Sequence, residues 1–254
     1  MRTCRFRLAG RERHGVVEGL SVRPLSAEPW AGGLPEGAAV PLADVTLLAP
    51  VLPSKIVCVG RNYRAHAKEL GQDVPKEPLL FIKPSTAVIG PGDAIRLPEA
   101  SKEVHHEAEL AAVIGRTLTG ARTAVEAREA IFGWTCLNDV TARDIQRAEG
   151  HFTRSKSFDT FCPIGPLVTT ELDPAEAVVS CRVNAEQRQR GYARDMVVDP
   201  YLLVAFVSQV MTLLPGDVVS TGTPEGVGPL RRGDTVEVEV SGIGVLQNLS
   251  LIHI

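Results

Sequence analysis

Short hydrophobic segments, broken by glycine and proline, run along most of the chain. Val236-Glu237-Val238-Glu239-Val240 alternates with a period of two, as a half-exposed antiparallel strand does. Few segments show helical patterning, and the clearest have a threonine cap at Thr123 or a proline in the first turn. The predicted strands cover residues 55–60, 79–83, 94–97, 107–114, 217–221, 235–240 and 245–252, and the predicted helices cover residues 63–70, 123–131 and 200–211.

The order of these elements predicts a mainly β fold with a few helices, of the all-β or α+β roll type. Helices do not alternate regularly with strands, which disfavours a doubly wound parallel sheet. Residues 1–50 contain two short strand candidates and a Gly/Pro-rich loop, and the proline-punctuated residues 47–53 are interpreted as a linker. We therefore expect a small N-terminal β subdomain over residues 1–50 and a larger domain over residues 51–254.

Composition excludes several classes of protein. A net charge of −3 and 5% aromatic residues argue against nucleic-acid binding. No apolar run approaches the roughly 20 residues that cross a bilayer, and the start lacks the apolar core of a signal peptide. A cytoplasmic protein without membrane partners is expected. The five cysteines are odd in number and form no C-x-x-C pair, which disfavours a zinc site or a disulfide framework, and most of them are interpreted as buried small hydrophobic residues.

The main chemical signal is a pair of carboxylates in an apolar strand. Glu107 and Glu109 are two residues apart and should project from one strand face, opposite Ala108 and Leu110. Two such carboxylates repel by about 4 kcal/mol at an effective dielectric near 20, which water, a proton or a cation must offset. A solvated strand face is therefore an open alternative to a cation site. The same spacing at Glu237 and Glu239, without a third acid, is interpreted as a solvated face.

A third carboxylate, Asp139, ends the apolar segment Trp134-Thr135-Cys136-Leu137-Asn138. Three carboxylates would form an all-oxygen site suited to Mg²⁺ or Mn²⁺, with open positions for substrate oxygens. The residues alone do not decide whether Asp139 reaches the two glutamates.

Six segments between residues 53 and 252 resemble, in the same order, those of the fumarylacetoacetate hydrolase family. Each is weak alone, but together they span about four-fifths of the chain. They are Gly60-Arg61-Asn62-Tyr63-Arg64-Ala65-His66-Ala67-Lys68-Glu69-Leu70, Phe81-Ile82-Lys83-Pro84-Ser85, His106-Glu107-Ala108-Glu109-Leu110, Asn138-Asp139-Val140-Thr141-Ala142-Arg143-Asp144, Lys156-Ser157-Phe158-Asp159 and Thr221-Gly222-Thr223-Pro224-Glu225-Gly226-Val227-Gly228.

This resemblance implies a mixed β-sandwich roll, a homodimer, and residues 51–254 as the catalytic domain. It also implies Mg²⁺ or Mn²⁺ held by Glu107, Glu109 and Asp139. The 2-oxo carboxylate of a small substrate would chelate the metal, which would stabilise the enolate formed in the reaction.

Three further residues are implied to act in catalysis. His66 and Glu69 lie at i and i+3 on one helix face, where a carboxylate can orient an imidazole as a general base. Exposed pairs with this spacing are common, so the assignment rests on the resemblance. Family position places Lys156 towards the metal pocket, where it could balance carboxylates or hold an oxyanion; an exposed lysine is the alternative.

Substrate-binding residues are implied by the same comparison. Arg143 and Gln146, one helical turn apart, resemble the family's contacts to the substrate carboxylate, and arginine suits this role because its planar fork pairs bidentately. The Thr223 hydroxyl and nearby backbone N–H groups, in a Gly/Pro-rich loop, would grip a carboxylate. Asp144 is interpreted as structural, and Lys83 as either lining the pocket or structural.

The leading functional expectation is a short bacterial-type family member that isomerises or decarboxylates a substrate resembling 2-hydroxyhepta-2,4-diene-1,7-dioate, in aromatic catabolism. An acylpyruvate hydrolase or oxaloacetate decarboxylase is the alternative, slightly favoured by the presence of His66 and Glu69, which suit an activated water or a proton shuttle. A catalytically silent binding protein with the same fold is an alternative of another class.

Overall fold

Strands form most of the regular structure of the protein. The computed structural model describes residues 1–252. Its strands are β1 (Arg2–Leu8), β2 (Arg11–Glu18), β3 (Ser21–Pro24), β4 (Val40–Pro41), β5 (Thr46–Leu48), β6 (Ile56–Gly60), β7 (Leu79–Lys83), β8 (Val88–Ile89), β9 (Ala94–Leu97), β10 (Val104–His106), β11 (Ala108–Ile114), β12 (Ile131–Asn138), β13 (Thr141–Ala142), β14 (Cys162–Thr169), β15 (Val178–Val183), β16 (Glu186–Tyr192), β17 (Val218–Ser220), β18 (Gly228–Pro229), β19 (Thr235–Val240) and β20 (Gly244–Ile252).

The helices are short and have identifiable caps. In α2, the Thr123 hydroxyl accepts from Glu126 N at 3.2 Å, and the Glu126 carboxylate accepts from Thr123 N at 2.9 Å, so the predicted cap is confirmed. Asp199 caps α5 by accepting from Tyr201 N at 2.9 Å. Among the described residues, no helix has the length and apolarity needed to cross a membrane. The helices are α1 (Arg64–Glu69), α2 (Ala124–Ala130), α3 (Arg143–Glu149), α4 (Thr153–Lys156) and α5 (Pro200–Val210).

The strands form three sheets that mix parallel and antiparallel pairs. The largest has twelve strands, in the order β4-β3-β2-β1-β14-β12-β11-β17-β6-β7, with β5 paired to β1 and β8 to β14. A five-stranded sheet has the order β16-β15-β19-β20-β9, and a three-stranded sheet has the order β13-β10-β18. Most neighbours are antiparallel, and the pairs β14·β8, β17·β6 and β20·β9 are parallel. The predicted mainly β mixed architecture is confirmed.

The N-terminal strands continue the largest sheet. Strand β1 pairs with β14 through Arg2↔Thr169 and Thr3↔Val168. Leu47 and Leu48, predicted to belong to a linker, instead lie in β5, which pairs with β1. This part of the linker prediction is wrong because local proline content does not reveal that a long-range partner strand is available. The domain boundary near residue 50 stays a prediction.

Strand β11 is buried on both faces. Ala108, Leu110, Ala112 and Ile114 belong to the main hydrophobic core, as the alternation predicts. The opposite face, which carries Glu109, continues with Ala111 and Val113 into a second buried cluster. All five cysteines are buried and free, as expected.

Candidate active site

The strand register brings Asp139 next to Glu107. Strands β11 and β12 are antiparallel, with Ala108 opposite Asn138, so the residues just beyond these ends face each other. Asp139 N donates to Glu107 O at 2.8 Å, and Asn138 Oδ1 accepts from Glu107 N at 3.0 Å. Glu107 is not inside a strand as predicted; it lies in the break between β10 and β11.

The three predicted metal ligands converge. One carboxylate oxygen from each of Glu107, Glu109 and Asp139 lies within 4.8 Å of the others, and all three residues are buried. The alternative of a solvated strand face for Glu107 and Glu109 is therefore wrong, because a second layer of structure covers this face.

Glu109 is oriented by two donors from the neighbouring strand and loop. The Ser220 hydroxyl and Gly222 N both donate to Glu109 Oε2, the amide at 2.7 Å. Burial and then the nearby Asp139 raise the pKa of Glu109 to about 8. The positively charged side chains of the protein therefore compensate the negative charge of Glu109 poorly.

Cationic side chains hold the other two carboxylates. Lys156 Nζ lies 2.8 Å from Glu107 Oε2 and 2.5 Å from Asp139 Oδ2. Lys83, which is fully buried, donates from Nζ to Asp139 Oδ1 at 2.5 Å and to Val140 O at 3.1 Å. Burial disfavours the charged forms, yet Lys156 and Arg143 lower the pKa of Glu107 well below its usual range, and Asp139 and Glu107 raise the pKa of Lys156.

The donor set fits a hard divalent cation. The three carboxylates offer only oxygen, the ligand atom that Mg²⁺ and Mn²⁺ prefer. The raised pKa of Glu109 marks a place where additional positive charge would be stabilising. Glu107, Glu109 and Asp139 could therefore hold such an ion, with Lys156 as the neighbouring cation that would have to adjust.

His66 and Glu69 form the expected pair on α1. His66 Nδ1 lies 3.1 Å from Glu69 Oε2, and His66 is buried. The second oxygen, Glu69 Oε1, accepts from Gly226 N at 2.9 Å. Glu69 therefore holds the imidazole on one side and anchors α1 to the 221–228 loop on the other.

Arg143 and Gln146 lie beside the carboxylates on α3. Arg143 Nη1 donates to Gln146 Oε1, and Nη2 donates to Glu107 Oε1. Arg143 is buried, and its Nε has no hydrogen-bond partner among the described residues. The substrate contact predicted for Arg143 would therefore compete with its pairing to Glu107. Asp144 accepts from the Ser101 hydroxyl at 2.6 Å and from Lys102 N at 2.8 Å, consistent with the structural role expected for it.

The Thr223 hydroxyl is held by two protein groups. It donates to Ala108 O at 2.8 Å and accepts from Gln189 Nε2 at 2.8 Å. Because its proton is used, the hydroxyl can offer substrate only a lone pair. The predicted grip on a substrate carboxylate is thereby left to backbone N–H groups of this loop.

A cavity of about 640 Å³ joins most of these groups. Eight of the nine site residues predicted from the sequence line its wall, and the ninth, Asp139, lies beneath it, held by Lys83 and Lys156. Apolar side chains and two further arginines complete the wall. The predicted residues on it are His66, Glu69, Glu107, Glu109, Arg143, Gln146, Lys156 and Thr223, and the others include Arg61, Leu70, Leu79, Phe81, Arg147 and Phe152.

Comparison with known proteins places the chain in a family. Residues 55–249 match the family model "Fumarylacetoacetate (FAA) hydrolase C-terminal". The chain belongs to the fumarylacetoacetate hydrolase family. Residues 1–50 match a second model, "Rv2993c-like, N-terminal".

Several named proteins resemble most or all of the chain. The 5-carboxymethyl-2-hydroxymuconate delta-isomerase of Mycobacterium smegmatis is 44% identical with a TM-score of 0.93, covering 100% of both chains. The 2-hydroxyhepta-2,4-diene-1,7-dioate isomerase of Mycobacterium marinum is 42% identical with a TM-score of 0.92, covering 99% of this chain and 98% of that one. Human mitochondrial oxaloacetate tautomerase FAHD2A is 44% identical over 222 residues, covering 82% of this chain and 70% of that protein.

Several residues at the site carried no assigned role in the sequence prediction. Gln189, on β16, connects the break between β10 and β11 to the 221–228 loop. Its Oε1 accepts from Ala108 N at 3.0 Å and lies 2.9 Å from His106 Nδ1. Its Nε2 also donates to Pro224 O at 2.8 Å. No local pattern marks Gln189. Lys83 lay in a recognised motif, and its complete burial decides in favour of a supporting role under Asp139.

Proposed function

We propose that the protein is a divalent-metal-dependent enzyme that moves a proton between oxygen and carbon of a small enolic 2-oxo acid. The observation that carries this proposal is the His66–Glu69 pair, at 3.1 Å, facing the same cavity as Glu107 and Glu109. His66 can exchange a proton with the substrate, while a divalent cation held by the carboxylate cluster would bind the negatively charged end of the acid.

The proposal assigns a separate task to each group of residues. Glu107, Glu109 and Asp139 would hold Mg²⁺ or Mn²⁺, which when bound supplies stabilisation of negative charge on the substrate oxygens. Glu69 accepts from Nδ1 of His66 and leaves Nε2 as the atom that takes up and returns the proton. Lys156, buried among the carboxylates, places positive charge where an oxyanion develops.

The first substrate to test is 2-hydroxyhepta-2,4-diene-1,7-dioate. Its isomerisation removes the proton of the C2 hydroxyl and adds one at C5, giving 2-oxohept-3-ene-1,7-dioate without any other reactant. One residue that carries a proton from one atom of the bound molecule to another suffices for this reaction. The two mycobacterial isomerases, more than 40% identical over essentially the whole chain, support this choice.

Keto–enol tautomerisation of oxaloacetate is the second candidate. It transfers a proton between the C2 oxygen and C3, so the same His66–Glu69 pair would serve. The 44% identity to human oxaloacetate tautomerase FAHD2A favours it. Acylpyruvate hydrolysis consumes water and oxaloacetate decarboxylation releases CO₂, so both differ from a reaction that only moves a proton. A catalytically silent binding protein would turn over none of these acids.

The decisive experiment follows both acids with protein loaded with Mn²⁺ or Mg²⁺. Loss of the dienol absorbance, with deuterium appearing at C5 by NMR in D₂O, is expected for the dienedioate. Pyruvate and CO₂ formed from oxaloacetate would support the decarboxylase instead, and pyruvate with a carboxylic acid formed from an acylpyruvate in the same assay would support the hydrolase. Chelation by EDTA should abolish turnover and re-added Mn²⁺ should restore it. Full activity after chelation, or in Glu109→Gln, would contradict the metal assignment.

A homodimer and a cytoplasmic location, both expected from the sequence, are part of the same proposal. Light scattering of the purified protein tests the first expectation, because a homodimer has twice the 27.3 kDa mass of a single chain. Cell fractionation tests the second.

A further inference from the structure

The cationic side chains around the cavity differ in whether a protein carboxylate neutralises them. Arg143 and Lys156 pair with Glu107, and Arg147 pairs with Glu103. Arg61 also lines the cavity, but no carboxylate of the described residues lies within ion-pair distance of it. Its guanidinium contacts the neutral side-chain amide of Gln72, and its buried Nε has no partner among the residues described. The positive charge of Arg61 is therefore available to a bound anion.

The backbone at Arg61 holds this side chain in an unusual conformation. Arg61 has φ +61, in the left-handed region that favours glycine or asparagine. The next residue, Asn62, is anchored on both sides, because its side chain donates to Val198 O at 3.0 Å and to Thr221 O at 2.9 Å. A strained non-glycine residue beside a ligand cavity is a frequent mark of function.

An aromatic wall connects the carboxylate cluster to Arg61. Lys156 Nζ lies 4.9 Å from the centre of the Phe81 ring, and the centres of the Phe81 and Phe152 rings are 5.0 Å apart. A ring carbon of Phe152 lies 3.6 Å from the point where a Cβ on Gly60 would be, and Gly60 directly precedes Arg61. All of these residues line the cavity. Lys156 is buried and Arg61 is partly exposed, so Arg61 lies at the outer end of the wall. The wall is thus charged at its inner end, apolar in the middle and positively charged at its outer end.

We propose that Arg61 binds the far carboxylate of a linear 2-oxo dicarboxylic acid, whose apolar or unsaturated middle lies along Phe81 and Phe152. This inference rests on the proposed function, since it takes the 2-oxo end of the acid to lie at Glu107, Glu109 and Asp139. A guanidinium suits the outer position because its planar fork donates two parallel hydrogen bonds to a carboxylate. Acids with a neutral tail lose this contact and bind more weakly.

A binding comparison tests the inference without turnover. The probes are 2-oxoheptanedioate and 2-oxoheptanoate, which differ only in the far carboxylate, titrated by calorimetry into the Mn²⁺-loaded protein. Wild type is expected to bind the dioate about 10- to 100-fold more tightly, as a charge-assisted hydrogen bond provides. Arg61→Met should lose most of this preference, and Arg61→Lys should keep part of it. The control is Arg64→Met, at an exposed position of the same segment, which should keep the wild-type preference.

The kinetic counterpart is the ratio of kcat/KM for the dienedioate to that for its 7-methyl ester. Arg61→Met should lower this ratio about 10- to 100-fold through KM rather than kcat, because the contact is far from the reacting atoms. An unchanged dioate preference in Arg61→Met would overturn the inference, as would binding of neither acid. If Arg61→Met removes the preference but wild type turns over no acid, the Arg61 site stands and the proposed reaction fails.

Discussion

The side-chain amide of Gln189 donates a hydrogen bond to the hydroxyl of Thr223 at 2.8 Å. This bond joins the five-stranded sheet, through β16, to the loop that borders the cavity. Space between the two segments is minimal: a Cβ at Gly191 would lie 2.6 Å from the Pro224 side chain, and one at Gly226 would lie 2.1 Å from Arg188 O. One sheet therefore supports the site that the other sheet carries.

Replacing Gln189 should weaken both stability and substrate binding. Gln189→Leu leaves the buried Ala108 N and Pro224 O without their partner, which costs about 2–4 kcal/mol of unfolding free energy. Because Thr223 loses a support, KM should rise. Urea unfolding and steady-state kinetics measure the two effects. The exposed Gln187→Leu on the same strand is the control, and equal stability of the two variants would refute the supporting role.

Lys83 is expected to be needed for stability. Lys83→Met removes one partner of a buried ion pair and leaves Asp139 with Lys156 as its remaining cation, which should cost about 3–5 kcal/mol. Chemical denaturation of the metal-free variant measures this loss. Lys102→Met, at an exposed position, should change the unfolding free energy by less than about 0.5 kcal/mol. A Lys83→Met protein as stable as this control would contradict the prediction.

The metal-free protein should lose stability as pH rises towards 8. Burial and Asp139 raise the pKa of Glu109 to about 8 in the folded state, from 4.5 as the ordinary value. Between these values the folded state binds more protons than the unfolded state, so the unfolding free energy falls as pH increases. Denaturation in EDTA from pH 5 to 8.5 measures the slope. Glu109→Gln, which keeps an acceptor for Ser220 and Gly222, should flatten it; an identical slope would rule out Glu109 as its source.

His66 should affect the chemical step more than metal binding. His66→Asn removes the imidazole that Glu69 orients, so kcat should fall about 10²- to 10⁴-fold, the usual contribution of general acid–base catalysis. Mn²⁺ affinity, followed by electron paramagnetic resonance, should stay close to that of wild type. Lys68→Met, exposed on the same helix, is the activity control. A parallel loss of Mn²⁺ binding would show that His66 acts on the metal site instead.

Local patterns predicted many elements because their causes are local. The alternation over residues 235–240 coincides with β19, and the caps and turn residues bound α2 and α5 within a residue or two. Strands β14, β15 and β16 were not predicted. Their pairing is long-range, and β16 in particular alternates little, since Arg188, Gln189 and Arg190 are all polar.

Two pairs of glutamates have the same spacing in the sequence and different surroundings in the tertiary structure. Glu107 and Glu109 have the same spacing as Glu237 and Glu239, and spacing alone treats them equally. Glu237 and Glu239 lie half-exposed on β19, where Arg182 pairs with both at 2.9 and 2.8 Å. Glu107 and Glu109 are buried beside Asp139, because Glu109 lies in β11, which is covered on both faces, and Glu107 directly precedes that strand.

The sequence by itself determined the alternation of strands such as β19, the Thr123 cap of α2, the family motifs and the identity of the three acidic residues. Only the tertiary structure decided that these acids are buried together, that Lys83 and Gln189 support them, and that Arg61 lines the cavity without a carboxylate partner among the described residues. The physical reason is that burial and pairing depend on the register between distant strands. Ala108 faces Asn138 through hydrogen bonds between segments some thirty residues apart, and no local pattern encodes that distance.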